Sequence, residues 1–181
     1  RKAVGQLQHC NTIIIFPRFS ALALGSGQTG TNVHGDYYID AYLDDSDDSK
    51  VIFKLQMVAG TWMGLALGST GMAVNTDMIQ VMAQRGVYDK QSSGYQNPAT
   101  DATENLDYTF EADHDLLTVT ISRELDTGDA DDYVVPIGQQ FALGWAVKTT
   151  SAILSQKHNQ AGSLQIELTP VEQPQTEEEE D

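Results

Sequence analysis

Four histidines and a single cysteine are among the residues of this chain that could bind a metal or act as a base. His9, His34 and His114 have no partner at the spacing that a protein metal site requires, so we expect all three at the surface. His158 lies in a polar segment, where a histidine is usually solvated. The lone Cys10 excludes an intramolecular disulfide, so the fold must be stabilised by its core and by any cofactor that it binds.

Acidic loops are a second candidate for chemistry. Residues 44–48 and 126–132 are rich in aspartate, whose carboxylate oxygens are good ligands for calcium. Neither stretch matches the twelve-residue calcium loop that ends in a bidentate glutamate, so solvated turns are the favoured interpretation. The sequence also lacks a nucleophile elbow, an HExxH motif and a phosphate-binding glycine loop. We therefore predict that the domain is not an enzyme by itself.

The composition argues against nucleic-acid binding and against a membrane-spanning helix. The net charge of −16 makes DNA and RNA poor ligands, because nucleic-acid binding depends on Lys and Arg that neutralise phosphates. No apolar run approaches the ~20 residues that a membrane-spanning helix needs, so we expect no membrane span in this chain. A negative surface could steer a positively charged redox protein or substrate.

Alternation of apolar and polar residues with a period of two predicts β-strands with one buried face. The pattern recurs in runs that begin at Val51, Leu106, Leu117, Phe141 and Leu164. Turn signals separate the runs, for example at residues 59–60, 112–115 and 159–162, and no comparable helical stripe is present. Many short strands joined by polar turns indicate an all-β, antiparallel sandwich or barrel.

Charge divides the chain into three parts. Residues 1–35 contain basic side chains and no acidic ones, and we predict that they form an N-terminal arm that docks or adds a strand. Residues 36–170 carry the strand pattern and are predicted to be a single β-sandwich domain. Residues 171–181 contain a run of glutamates that repel one another, which predicts an acidic tail.

Six segments between residues 35 and 168 resemble the DOMON domain family. In chain order they are GDYYIDAYLD, VIFKLQMVAGTWMGLALG, GMAVNTDMIQVM, VYDKQSSGYQNPATD, ISRELDTGDADD and FALGWAVKTTSAILSQKHNQAGSLQIEL. The resemblance implies an immunoglobulin-like antiparallel β-sandwich. It also implies one of three roles, because family members bind haem b, bind sugar-like ligands or serve as interaction modules.

The cytochrome-type branch of the family uses a methionine in the turn after a glycine, and a histidine in the closing hairpin, as axial haem ligands. Met72 and His158 stand at these two places. The resemblance thus implies a haem b with Met/His ligation, held non-covalently because no CxxCH motif is present. Lys157 remains an alternative to His158, since some relatives use a lysine ligand.

A haem also needs an apolar slot, which we expect between the two sheets or at their rim. The residues that could line it are Trp62, Met63, Leu65, Met78, Met82, Phe141 and Trp145. The same residues could equally be ordinary core.

Two functions follow from the resemblance. The first is electron transfer to or from a redox partner protein or domain, with Met72 and His158 holding the iron. The second is a haem-free module that binds a sugar or assembles with other subunits through the N-terminal arm and the acidic tail. The resemblance favours an extracellular, periplasmic or organelle-lumen location.

Overall fold

The computed structural model describes residues 30–83, 85–153 and 156–170. These residues form eleven β-strands and no helix, so the described part of the chain contains no helical membrane span. The strands are β1 (Thr31–His34), β2 (Tyr37–Asp44), β3 (Asp47–Val58), β4 (Trp62–Leu67), β5 (Val74–Met82), β6 (Gly86–Ser93), β7 (Ala99–Thr100), β8 (Asp107–Asp113), β9 (Leu116–Glu124), β10 (Gln140–Lys148) and β11 (Gln160–Glu167).

The strands make two antiparallel sheets. The five-stranded sheet has the order β1-β2-β3-β9-β8, and the six-stranded sheet has the order β11-β10-β4-β5-β6-β7. One hydrophobic cluster contains buried side chains of both sheets, so the two sheets face each other across a common core. The prediction of an all-β antiparallel sandwich is confirmed.

The predicted alternation holds best in the central strands. Phe53, Leu55 and Met57 of β3 are fully buried, and so is Ile121 of β9. In β8 the same pattern gives a different result, because this strand is the edge of its sheet and Tyr108 remains 44% exposed. Alternation of apolar and polar residues therefore predicts that a segment is a strand, whereas the position of the strand in the sheet determines how much of it is buried.

At its central strand β4, the six-stranded sheet is buried on both faces. All six residues of β4 are buried. Met63, Leu65 and Leu67 belong to the core between the sheets, and strand alternation directs the side chains of Trp62 and Ala66 to the opposite, outer face. This outer face forms the floor of the candidate site.

One predicted turn is wrong in detail. Residues 160–162 of the predicted turn at 159–162 belong to β11, in which Gly162 pairs with Trp145 of β10. A Cβ on Gly162 would lie 2.7 Å from Cζ2 of Trp145, so the indole occupies the space of the missing side chain. Here the glycine marks a close approach in a strand rather than a turn.

The three-part division of the chain stays a prediction. Residues 1–29 of the proposed arm and the whole tail at 171–181 lie outside the described residues. The last part of the proposed arm forms β1, which pairs with β2 at the edge of the five-stranded sheet.

Candidate functional site

An open cavity of about 560 Å³ lies on the outer face of the six-stranded sheet. Its floor consists of small residues on two paired strands, with Gly64 and Ala66 on β4 opposite Ala146 and Gly144 on β10. Larger side chains there would fill the space above the strands. The volume is typical of a site for a small molecule or cofactor.

Three loops surround this floor. The loop between β4 and β5 contributes Gly71 and Met72, and the loop after β6 contributes Tyr95 and its neighbours. The segment that precedes β11 contributes His158. The two proposed ligands therefore line one cavity from different loops, although they are far apart in the sequence.

The Met72 loop is held close to the sheet by local hydrogen bonds. The hydroxyl of Ser69 donates to the carbonyl oxygen of Gly71 at 2.7 Å, and the backbone N–H of Ala73 donates to the same oxygen. Gly144 makes room for the loop, because a Cβ there would lie 2.9 Å from the carbonyl oxygen of Ser69. Met72, which is half-buried, follows in the same loop after the point where Ser69 contacts Gly144.

His158 is half-buried beside Trp62. The two rings meet edge-on, with centroids 6.5 Å apart and an interplanar angle of 85°. Burial lowers the pKa of the His158 imidazole, and the positive charge of Lys157 lowers it further. The ring is therefore neutral at pH 7, which is the state in which an imidazole nitrogen can bind a metal.

The loop that carries His158 is closed at its base. The side-chain oxygen of Asn159 accepts from the backbone N–H of Thr149 at 2.9 Å, and the Asn159 amide donates to the Thr149 hydroxyl at 2.8 Å. This pair links the end of β10 to the start of β11 and fixes the direction in which the segment approaches the cavity. Lys157 also lines the cavity but is exposed.

Two buried polar atoms in the cavity lining have no hydrogen-bond partner among the described residues. They are Nε1 of Trp62, a donor, and Oε1 of Gln80, an acceptor. A buried polar group without a partner is costly, so both atoms favour a ligand with polar groups as well as an apolar surface.

The cavity includes most, but not all, of the predicted lining residues. Trp62, Met78 and Trp145 line it together with Met72 and His158, and Leu65 also borders it although the Leu65 side chain belongs to the core. Met63 instead belongs to the core between the sheets and is fully buried there, and Phe141 is part of the same core. Met82 is buried but is not in the cavity lining. The cavity is thus on the outer face of one sheet, whereas a slot between the sheets or at their rim was expected.

Sequence reasoning missed Gln80 and the small residues of the floor. A signal was present, because Gly64, Ala66, Gly144 and Ala146 occupy alternate positions on two strands and would leave one face without side-chain bulk.

A second cluster of functional groups lies inside one end of the sandwich. The guanidinium of Arg123 on β9 bridges the sheets, and its Nη2 is 2.8 Å from Oδ2 of Asp77 on β5. The same nitrogen is 3.4 Å from Oδ2 of Asp132, which the connection between β9 and β10 supplies. Asp89 of β6 completes the cluster, since carboxylate oxygens of Asp77, Asp89 and Asp132 lie within 4.8 Å of one another.

Burial dominates the electrostatics of this cluster. It raises the pKa of Asp77 to about 6, against the opposing effect of Arg123. Burial raises the pKa of Asp89 to about 7, and the nearby carboxylates of Asp77, Asp132 and Asp101 raise it too. The sequence had suggested a solvated turn for residues 126–132, but the carboxylate of Asp132 is only 2% exposed.

Among the remaining histidines, His114 and His34 are exposed as predicted. The His114 ring contacts the neighbouring Asp113 carboxylate, and both side chains are almost fully exposed. His9 lies outside the described residues.

Comparison with protein families gives a match to the DOMON domain over residues 35–148. The solved structures that share the fold include two cytochrome domains. The cytochrome b domain of pyranose dehydrogenase from Coprinopsis cinerea aligns with a TM-score of 0.56 at 16% identity, over 72% of this chain and 76% of that domain. The cytochrome domain of cellobiose dehydrogenase from Myriococcum thermophilum aligns with a TM-score of 0.56 at 14% identity, over 78% and 81%. No curated protein sequence matches the chain.

Proposed function

The chain belongs to the DOMON domain family, and from this premise we propose that it binds one haem b and transfers single electrons. The observation that carries the proposal is that Met72 and His158 line the same cavity from different loops. A thioether and a neutral imidazole are an established axial pair for haem iron.

The residues around the cavity fit a haem. The small side chains of the floor leave a flat surface, and Trp62 and Met78 add apolar area beside it. The lowered pKa of His158 keeps its ring nitrogen free of a proton near neutral pH. Trp62 Nε1 and Gln80 Oε1 could hydrogen bond with polar groups of the bound molecule or with water held beside it.

A haem bound at this site would supply reversible one-electron chemistry. Met72 would favour the reduced state relative to a second nitrogen ligand, because Met/His ligation raises the reduction potential. The apolar walls would limit the access of water to the iron, which is a further way to tune the potential. The net charge of −16 would favour a redox partner with a basic surface.

The names of the two structural relatives describe cytochrome domains of dehydrogenases. By analogy we propose that this chain exchanges electrons with a separate redox protein or domain and does not transform a substrate itself. We further propose that it works outside the cytoplasm, in an extracellular, periplasmic or organelle-lumen location.

An absorbance spectrum of the purified protein, oxidised and then reduced with dithionite, tests the proposal. We expect a sharp Soret band, with resolved α and β bands after reduction. Met72→Leu and His158→Ala should each lose the low-spin spectrum. Met82→Leu and His114→Ala are matched controls, because neither residue lines the cavity. A featureless visible spectrum that persists after haem addition would contradict the proposal.

One observation favours a second candidate function, the binding of a saccharide without haem. Tyr95 lines the cavity yet is 96% exposed, and an exposed aromatic ring beside unpaired polar atoms suits a sugar. Under this alternative, Tyr95→Ala would abolish binding to a saccharide array, whereas Met72→Leu would not. If haem binds and no saccharide is retained, the alternative is excluded.

A further inference from the structure

The buried cluster at the end of the sandwich lies on the opposite side of the six-stranded sheet from the cavity. Asp77 and Met78 are neighbours on β5, and their side chains point to opposite faces. Met78 lines the cavity, whereas Asp77 contacts Arg123 between the sheets. Any role of the cluster is therefore separate from ligand binding in the cavity.

We propose that Asp77, Asp89 and Asp132 form a binding site for a divalent cation that prefers oxygen ligands, and specifically for Ca²⁺. Their carboxylate oxygens lie within 4.8 Å of one another. Two oxygens bound to the same Ca²⁺ are at most about 5.2 Å apart, since Ca–O distances are 2.3–2.6 Å. The three side chains are therefore close enough to share one ion.

An unpaired atom points independently to a missing ligand. Asp89 is only 2% exposed, and its Oδ2 has no hydrogen-bond partner among the described residues. A buried carboxylate oxygen without a donor is costly, and it is stabilised either by a cation or by a proton. In the proposed site, a cation stabilises Oδ2 of Asp89.

Asn105 offers another oxygen ligand. Its Nδ2 donates to Oδ2 of Asp132 at 2.6 Å, which places the amide at the edge of the cluster. Its Oδ1 is buried and lacks a partner in the described part of the chain. Amide oxygens are common Ca²⁺ ligands, so Asn105 is a candidate fourth ligand beside the three carboxylates.

The charges of the cluster agree with a divalent ion. Three ionised carboxylates carry three negative charges, and the guanidinium of Arg123 compensates one of them. The remainder of two negative charges inside the sandwich equals the charge that one Ca²⁺ would neutralise. Arg123 contacts Oδ2 of both Asp77 and Asp132.

The connection between β9 and β10 gives the ion a route to the cluster. It contributes Asp132, whose Oδ2 accepts from the hydroxyl of Thr127 at 2.5 Å. Asp126 and Asp129 in the same connection stabilise turns, by accepting from the backbone N–H two residues later, and Asp129 also accepts from the Thr103 side chain. A local movement of this exposed connection would admit an ion without separating the sheets.

Thermal unfolding and titration calorimetry of the full chain, stripped of metals with EDTA, test the site. At pH 8 we expect added Ca²⁺ to raise Tm and to bind with a stoichiometry of one. At pH 5 the rise in Tm should be smaller, because protons compete for the same carboxylates. No rise in Tm and no binding heat at pH 8 would overturn the proposal.

Three aspartate variants test where Ca²⁺ binds. Asp89→Asn keeps the shape of the side chain while removing one charge, so it should fold and should lose most of the Ca²⁺ effect. Asp132→Asn should do the same and covers the case in which the first variant does not fold. Asp115→Asn, at an exposed aspartate, is the control and should respond to Ca²⁺ as the wild type does. If Asp89→Asn and Asp132→Asn both bind Ca²⁺ normally, the ion binds elsewhere and the proposal is wrong.

The visible spectrum separates this proposal from haem binding. Ca²⁺ binding is measured in both haem-loaded and haem-free protein, and we expect it in both. Loss of the low-spin spectrum in Met72→Leu should leave Ca²⁺ binding intact, so each proposal can fail without the other.

Discussion

The carbonyl oxygen of Ser69 lies 2.9 Å from the position that a Cβ on Gly144 would occupy. The same Cβ would be 3.1 Å from the Cβ of Ala66 on the floor of the cavity. The absence of a side chain at Gly144 therefore lets the loop that carries Met72 cross the sheet in close contact. Gly144 has no functional group, but this contact makes it a determinant of where the proposed ligand Met72 lies.

Gly144→Ala should weaken haem binding by displacing the Met72 loop. Overpacking of this kind typically costs about 1–3 kcal/mol, and here the strain is concentrated at the loop. We expect a mixed-spin or high-spin spectrum and faster haem loss to a scavenger such as apomyoglobin. Gly30→Ala is the control, because a Cβ at Gly30 would meet only the Asp40 side chain at 3.8 Å and Gly30 does not line the cavity. Equal haem-loss rates in the two variants would contradict this role for Gly144.

Lys157→Met distinguishes the two candidate ligands next to the cavity. If His158 is the ligand, the variant keeps the low-spin spectrum at pH 7. Removal of the Lys157 charge also raises the pKa of His158, so protonation should displace the ring from iron at a higher pH than in the wild type. An acid titration followed at the Soret band measures this change. Loss of the low-spin spectrum at pH 7 would instead identify Lys157 as the ligand.

Much of the fold was predictable because strand periodicity depends on the local sequence. The run from Val51 to Met57 has one face buried in the core, and it is one strand of the structure. Strand β4 shows where periodicity fails, because Trp62 and Met63 are both buried and the sequence does not state which face meets the other sheet. The sequence predicts Met63 as a lining residue of a slot between the sheets or at their rim, whereas its side chain is in the core and the cavity is on the outer face.

The buried cluster shows a second limit of the sequence. Asp77 and Arg123 are separated by 46 residues, and their contact depends on how the two sheets stack. A chain with 26 acidic residues offers many equivalent partners for one arginine. Charge alone therefore does not identify the pair, whereas the proposed pair of Met72 and His158 could be suggested by the resemblance to family segments.

Arg123→Met should destabilise the protein strongly. The variant removes the cation that contacts Asp77 and Asp132 and leaves buried carboxylates without compensation. Loss of one partner from a buried ion pair costs about 3–5 kcal/mol. Urea unfolding followed by circular dichroism measures the free energy of unfolding. Arg85→Met, at an exposed arginine, serves as control and should change it by less than about 0.5 kcal/mol.

Tyr133 connects the cluster to the Met72 loop, because a Cβ on Gly68 would overlap the Tyr133 ring. Its backbone N–H donates to Oδ2 of Asp77 at 2.8 Å, and its carbonyl oxygen accepts from Arg123. Gly68→Ala should therefore destabilise both regions, particularly since Gly68 has a φ of +64°. We expect a lower Tm and faster haem loss, whereas Gly128→Ala, which has a similar φ but open space, should lower Tm less and leave haem loss unchanged.

The stability of the metal-free and haem-free protein should decrease as the pH rises from 4 to 8. The pKa of Asp89 is about 7 in the folded protein and 3.8 ordinarily, so the folded state binds more protons than the unfolded state between these values. Unfolding is then favoured as pH rises through this window, with the full stability present only below about pH 4. Asp77, whose pKa is about 6, contributes in the same direction.

Comparison with Asp89→Asn isolates this effect from the other groups that titrate. One pKa unit corresponds to about 1.4 kcal/mol, so the wild type should lose about 2–4 kcal/mol more than the variant between pH 4 and pH 8. His158, whose pKa is lowered, acts in the opposite direction in both proteins and cancels in the difference. Urea unfolding in EDTA at several pH values gives the two curves, and parallel curves would show that Asp89 does not titrate in this range.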